Sequence, residues 1–212
     1  MKSRLWKPNS IGLAAARDAI SKGGVIGLPT DTVYGLACSA ESSSGVAGIY
    51  RIKDRPETQP LIVMTASVED LGGYVAWDDR ADEFAARFWP GPLTLVLPAR
   101  GAGDQLSRDG TLGVRIPNLP VVLDLLRGTG ALATTSANRH GHPPVPDAAS
   151  ALAQLPGLSG ALAGDQPAPT AGAPSSILDL TRDQPVLLRE GRLSARELGV
   201  SAPAQDPGIR RD

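Results

Sequence analysis

A chain of 212 residues, 42% of them hydrophobic but only 4% aromatic, can bury one sizeable core built from Ala, Val, Leu and Ile. Its formal net charge of −1 excludes a global field steering it to nucleic acid or to a membrane, while leaving room for a local basic surface. The single cysteine, Cys38, excludes an intramolecular disulfide, and with His140 and His142 it falls short of the roughly four ligands of a structural zinc site, so no metal ligands are assigned.

In chain order, the first predicted element is a helix over 11–22. Ser10 can cap it, Ile11, Ala14, Ala15 and Ala19 keep near-helical spacing, and Gly23-Gly24 ends it. A short apolar strand over 25–28 stops at Pro29. The spacing of Val46, Ile49, Tyr50 and Lys53 predicts a helix over 45–53, and Pro60 precedes a buried strand over 61–64. An amphipathic helix over 78–89 carries Phe84 and Phe88 on one face. Strands are expected over 93–97, 112–116, 131–135, 176–180 and 186–189. Helices are expected over 120–127, with Pro120 at an early position, and over 147–154. Gly- and Pro-rich 164–174 reads as a loop, and 101–110 has the composition of a mobile one. This alternation argues for an α/β (α+β) single domain around one mixed sheet, over 1–198, with a flexible C-terminal tail over 199–212. No apolar stretch follows the N-terminal basic residues, and no apolar run approaches the ~20 residues of a membrane span. A soluble, cytoplasmic protein without membrane contact is expected.

Several clusters can carry chemistry. In P-T-D-T-V-Y-G-L, Thr30, Asp31 and Thr32 can line a small polar pocket; alternatively their hydroxyls cap a following helix. In R-I-K-D-R-P, Lys53 and Arg55 would point the same way from an extended segment and could meet a phosphate, unless the cluster is a solvated turn. W-P-G-P-L-T reads as a rigid turn over a packed Trp89, with Thr94 in the core or ladder, or else touching a ligand. In T-L-G-V-R-I-P, strand alternation puts Thr111, Gly113 and Arg115 on one face and Leu112, Val114 and Ile116 on the core face. An Arg at such a place needs an anion, either a carboxylate substrate or an Asp or Glu of the chain. Thr134, Ser136 and Asn138 follow an apolar strand, at the sheet edge where α/β proteins bind ligands, or else form a polar turn. Arg189 could clamp a phosphate from a late strand. No Walker loop and no G-x-G-x-x-G is present, so a nucleotide would be held by side chains and scattered amides. Cys38, in L-A-C-S-A, reads as a core residue rather than a nucleophile.

The order of P-T-D-T-V-Y-G-L, K-D-R-P, P-L-I-V, W-P-G-P-L-T, V-R-I-P, T-S-A-N and L-R-E-G over 20–191 resembles the YrdC/Sua5 family of L-threonylcarbamoyladenylate synthases. The family's paired K-x-R and S-x-N stand here as Lys53, Arg55, Ser136 and Asn138, which are thereby implied to be catalytic. The resemblance implies a YrdC-like twisted mixed sheet with flanking helices and a concave basic face, in the short, single-domain form. It implies a nucleotidyltransferase that joins L-threonine, bicarbonate or CO2, and ATP with Mg2+ into threonylcarbamoyl-AMP and pyrophosphate. The product would pass to threonylcarbamoyltransferase machinery that makes N6-threonylcarbamoyladenosine in tRNA. By the same resemblance, Thr32, Met64, Arg115, Thr134 and Ser175 fall at threonine-binding positions. Arg55, Gln59, Thr111, Ser136, Pro144 and Arg189 fall at ATP-binding positions. Lys53, Arg55 and Arg189, with Mg2+, would stabilise charge building on the phosphates, since no general base stands beside them. Asp31 replaces a frequent Glu, Gln59 an Asn and Pro144 a Ser. Met64 replaces a His, which removes a polar contact at the threonine end and keeps open a carbamoyl-adenylate enzyme with another acceptor. A nucleic-acid-binding module is the other alternative. Weak tRNA or RNA binding stays open, although 4% aromatics leave few stacking platforms.

Overall fold

The structure, a computed structural model, describes residues 4–54, 60–107, 109–139, 141–164 and 173–201. Within them ten strands form one mixed sheet. These are β1 (Leu5–Trp6), β2 (Ile26–Leu28), β3 (Gly35–Ser39), β4 (Ile62–Met64), β5 (Leu93–Pro98), β6 (Thr111–Arg115), β7 (Leu132–Ser136), β8 (Gly160–Leu162), β9 (Ser176–Asp179) and β10 (Val186–Arg189). Their order is β1-β8-β2-β3-β7-β4-β6-β5-β9-β10. Helices α1 (Ser10–Ser21), α2 (Ser43–Lys53), α3 (Asp79–Phe88), α4 (Pro120–Thr129), α5 (Ala148–Gln154) and α6 (Ala195–Leu198) flank the sheet.

Local chemistry accounts for the helix ends. Asn9, not Ser10, caps α1, its side chain accepting the Gly12 N–H at 3.0 Å; Asn and Ser are equally good caps, so the sequence alone does not choose between them. Asp78 caps α3 and Asp147 caps α5 in the same way, while α4 opens on Pro120, whose missing N–H costs nothing there. The segment read as a mobile loop begins as a 3-10 helix, Gly101–Gln105. Most of the predicted tail, 202–212, and of the predicted loop over 164–174 lies outside the described residues.

The sheet has two differently covered faces. On one, Leu36, Cys38, Val63, Leu93, Leu95, Leu97, Leu112, Val114 and Leu178 pack against Ile49 and Tyr50 of α2, Phe84 of α3 and Leu198 of α6. Burying each such aliphatic side chain is worth about 1.5–3 kcal/mol. Cys38 belongs to this core, fully buried, and burial pushes its thiol up to about 12, so it is no nucleophile. On the other face, α1 and α4 cover only part of the sheet, packing Ala16, Ile20, Val122 and Leu125 on Ile26, Leu28, Ala37, Met64 and Leu132. The remainder of that face opens as a cavity.

Three strands escaped prediction. β1 and β8 are two and three residues long and pair with each other. β3, of sequence G-L-A-C-S, has no β-branched residue, yet it runs antiparallel between β2 and β7. It corrects one reading outright: the hydroxyls of P-T-D-T cap no helix, because the chain runs from them into a strand. No helix among the described residues is long and apolar enough to cross a membrane.

Candidate active site

The uncovered sheet face forms the floor of a cavity of about 640 Å³, within the usual range for small-ligand sites. Every described residue placed at a catalytic, threonine-binding or ATP-binding position lines it: Lys53, Thr32, Met64, Thr111, Arg115, Thr134, Ser136, Asn138, Pro144, Ser175 and Arg189; Asp31 does not. Arg55 and Gln59 lie outside the described residues. Three cations, Lys53, Arg115 and Arg189, face a single described carboxylate, Asp109, in the lining, so the local surface is basic although the chain is not.

At the deep end, strand alternation places Thr111, Gly113 and Arg115 on the cavity side and Leu112 and Val114 in the core, as the spacing predicts. The Arg115 side chain is 2% exposed. Its Nε donates to the Gly91 carbonyl at 2.9 Å, Nη1 to Thr32 Oγ1 at 2.9 Å and Nη2 to Asp31 Oδ1 at 2.7 Å. Burial pulls this guanidinium below its ordinary value; the charge and hydrogen bond of Asp31 oppose that pull, and nearby Arg192 adds to it. Of the two anions that a buried Arg could meet, the chain supplies its own, Asp31. A guanidinium has five N–H donors and three are used here, which leaves two for a ligand among the described residues.

Two local structures hold this network. Thr30 Oγ1 donates to Val33 O at 2.7 Å and accepts the Thr32 N–H at 3.1 Å, a hydroxyl-stabilised turn that aims Thr32. The W-P-G-P turn is more than architecture, because its Gly91 carbonyl receives Arg115. A Cβ at Gly91 would collide with Phe88 O, so the turn itself needs glycine there. Thr134 Oγ1 donates to Ile62 O at 3.0 Å. Met64 stands in register between Arg115 and Leu132 and joins the apolar cluster under α1 and α4. The deep end therefore has an apolar wall where the resemblance implies a histidine.

The paired K-x-R and S-x-N residues form the second end. Lys53 is the last residue of α2, and Asp54 caps that helix in the left-handed region at φ 52°. The predicted helix thus reaches Lys53 as expected, and helical geometry, not strand alternation, sets the direction of its side chain. Lys53 is 2% exposed. Its Nζ reaches Ser136 O at 2.6 Å, Asn138 O at 2.9 Å and Asn138 Oδ1 at 2.9 Å. Ser136 Oγ donates to Asn138 Oδ1 at 2.6 Å, and Asn138 Nδ2 donates to His142 O at 2.7 Å. An ammonium with three donors thus meets three oxygens of one turn. Lys53 lines the cavity, but its protons hold the Ser136–Asn138 turn in shape. Nearer the mouth, Thr111 Oγ1 donates to Asp109 at 2.8 Å. Arg189 on β10 donates through Nε and Nη2 to Ser175 O at 3.2 and 2.8 Å; burial, and then the charge of Arg115, lower its pKa.

This arrangement has solved relatives. The Sua5/YciO/YrdC family model, described as "Telomere recombination", matches residues 18–191. The chain belongs to the Sua5/YciO/YrdC family. A protein of Mycobacterium tuberculosis is 39% identical over 200 residues, covering 91% of this chain and 92% of its own. The threonylcarbamoyl-AMP synthase of Bacillus subtilis is 35% identical over 217 residues, covering 93% of this chain and 61% of its own. Among structures, Pyrococcus abyssi Sua5 complexed with L-threonine superposes with a TM-score of 0.82 at 32% identity, over 92% of this chain and 58% of that one. E. coli YciO superposes with a TM-score of 0.79 at 25% identity, over 92% and 98%. Both have the twisted mixed sheet with flanking helices that the resemblance implies.

Residue reading missed Asp31 as the partner of Arg115 and the Gly91 carbonyl; Thr94 is in the ladder as expected, and it also lies on the cavity floor. Thr94 was within reach: in L-T-L-V-L, the leucines 93, 95 and 97 take the core face and leave Thr94 and Val96 to the other.

Proposed function

We propose that this protein is a threonylcarbamoyl-AMP synthase. The observation supporting it is the joining, in one cavity, of the buried Lys53 with its Ser136–Asn138 turn and the buried Arg115 network. Relatives bearing that activity as their name, such as those of Bacillus subtilis and Klebsiella pneumoniae, are 35% identical over 93% and 79% of this chain.

In this reading the threonine carboxylate takes the two remaining N–H groups of Arg115, with Thr32, Thr134 and Ser175 around the rest of the amino acid. The amine nitrogen attacks the carbon of bicarbonate or CO2, forming an N–C bond; a proton leaves, and with bicarbonate a hydroxyl leaves as water. A carbamate oxygen then attacks the α-phosphorus of ATP, and the bond to the departing pyrophosphate breaks. Positioning and charge stabilisation supply most of the rate. Ser136 and Asn138, held by Lys53, with Thr111, Pro144, Arg189, Arg55 and Gln59, receive the nucleotide. Among the described residues no group of three or more His, Cys, Asp or Glu could hold a metal ion. Mg2+ enters the proposal as part of the incoming MgATP substrate. A cytoplasmic setting and delivery of the adenylate to a transferase acting on tRNA complete the reading.

The Met64 wall faces the amino-acid end and suits the threonine methyl. One extra methyl in an apolar pocket is worth ~1–3 kcal/mol, so threonine should outrun serine at least tenfold. The test is pyrophosphate release with ATP, bicarbonate and each amino acid in turn. Release that depends on threonine is expected; release indifferent to the amino acid, or greatest with a different one, would overturn the assignment.

A further inference from the structure

Thr94 lies in the cavity floor and has no part in the reading above. It is 1% exposed. Its neighbours on β5, Leu93 and Leu95, fill the main core, so its own side chain faces the cavity. The Thr94 hydroxyl is paired with Ser175 Oγ at 2.9 Å. Its methyl is held from the other side: a Cβ on Gly113 of β6 would come within 3.3 Å of Thr94 Cγ2. A methyl resting on bare glycine and a hydroxyl bound to Ser175 together select one rotamer.

Ser175 passes the restraint on. It is 3% exposed and directly precedes β9, which runs parallel to β5. Its carbonyl accepts both Nε and Nη2 of Arg189, from the neighbouring strand β10, and the same Nη2 lies 3.4 Å from Ser175 Oγ. A single hydrogen-bonded chain thus runs Thr94–Ser175–Arg189 across three adjacent strands. Ser175 stands at its centre, with its hydroxyl toward Thr94 and its carbonyl toward Arg189.

We propose that Thr94 is a positioning residue that couples the two substrate ends of the cavity through Ser175. This rests on the proposed function, in which Ser175 serves the amino acid and Arg189 the nucleotide. A buried serine hydroxyl is a rotor, and its direction is set by the partners it finds. Thr94 fixes that direction, so the Ser175 hydroxyl is ready for the amino acid while its carbonyl keeps Arg189 in place. Threonine seated against Ser175 stiffens the anchor of Arg189, and nucleotide held by Arg189 stiffens Ser175 in return. Thermodynamic linkage makes the effect equal in both directions.

The experiment compares the wild-type enzyme with Thr94→Val, which keeps the shape and drops the hydroxyl, and Thr94→Ser, which keeps the hydroxyl and drops the methyl. The readouts are the KM for threonine in pyrophosphate release, the affinity for ATP with and without threonine (bicarbonate omitted), and the Tm. In Thr94→Val the KM for threonine should rise about five- to tenfold, as for one lost hydrogen bond, with kcat within about twofold. The gain in ATP affinity on adding threonine should shrink, and Thr94→Ser should restore it. A wild-type KM and undiminished coupling in Thr94→Val overturn the inference. So does an equal loss in Thr94→Ser, or a lowered Tm as the only change, because either assigns Thr94 to packing. Wild-type enzyme that releases no pyrophosphate with threonine fails the proposed function itself, and this inference with it, so the two failures are told apart.

Discussion

The two ends of the cavity are built on opposite plans. At the deep end, Thr32, Arg115, Thr134 and Ser175 are all buried, and each hydroxyl or guanidinium already has protein partners. At the other end, among the described residues, only Lys53 is buried. Ser136, Asn138 and Thr111 are half-buried, Pro144 is exposed, and Arg189 is exposed as a whole although its guanidinium is partly buried against Ser175. The contrast suits the two tasks. A small amino acid is discriminated by a preorganised pocket in which a misfit leaves buried groups unpaired. A nucleotide that must enter, and a pyrophosphate that must leave, need a rim whose charges stay near water.

The deepest residue should give the largest effect. Arg115→Ala removes the carboxylate partner and leaves Asp31 without its cation, so threonine-dependent kcat/KM should fall at least a hundredfold, about 3 kcal/mol, with a lowered Tm. Arg115→Lys should not restore activity, because a point charge cannot meet Gly91 O, Thr32 and Asp31 at the angles of a planar fork. Activity within tenfold of wild type in either variant would break the idea of a preorganised deep end. Next comes Lys53→Met. It removes the ammonium that ties three oxygens of the Ser136–Asn138 turn together, so pyrophosphate release should fall on the order of a hundredfold while far-ultraviolet dichroism stays native. A turn held by Lys53 presents residues to the nucleotide, so ATP affinity should drop more than threonine affinity; the reverse order would move Lys53 to the deep end.

How much of this was legible in the residues follows the same division. The floor of the cavity, from Thr111 near the mouth to Arg115 at the deep end, could be read from alternation alone, since Thr111, Gly113 and Arg115 sit opposite Leu112 and Val114 on a five-residue strand. The partners could not. Arg115 and Asp31 are 84 positions apart, and Lys53 and Ser136 are 83 apart; only the sheet order, with β3 beside β7 and β7 beside β4, brings them together. The resemblance named residues that share one cavity but not their geometry: it does not foresee that the Lys53 ammonium is bound to the Ser136–Asn138 turn. β3 stayed hidden for a physical reason. Its small side chains carry little strand propensity, and it is a strand because two neighbours satisfy both its edges.

Asp31→Asn sharpens the comparison at a smaller scale. Asparagine can still accept from Arg115 but no longer neutralises it. The empty site should lose about 2 kcal/mol, seen as a Tm lower by about 4–8 °C. With the counter-charge gone, threonine and simple carboxylates should bind several-fold more tightly by calorimetry. Weaker binding instead would mean that Asp31 acts chiefly by orienting the guanidinium rather than by offsetting its charge.

The smallest effect belongs to the rim. Val145 N–H donates to Ala137 O at 2.8 Å, and two residues later Asp147 caps α5 by accepting the Ser150 N–H at 2.8 Å. The cap therefore fastens the segment that carries Pro144 from the S-x-N turn to a helix. Hydrogen bonds from the Ser150 backbone, then from its side chain, hold the Asp147 carboxyl below its usual range. A folded pKa below the unfolded one means that the stabilisation is present above the ordinary carboxylate pKa and is lost as pH falls through the folded value. Asp147→Ala should lower the Tm by about 2–4 °C at neutral pH, near 1 kcal/mol for a cap, and the gap to wild type should close in acid. Threonine affinity measured without ATP should be untouched, since among the described residues no hydrogen bond of Thr32, Arg115, Thr134 or Ser175 comes from α5. A change there as large as the change in ATP affinity would show the two ends to be less separate than their burial suggests.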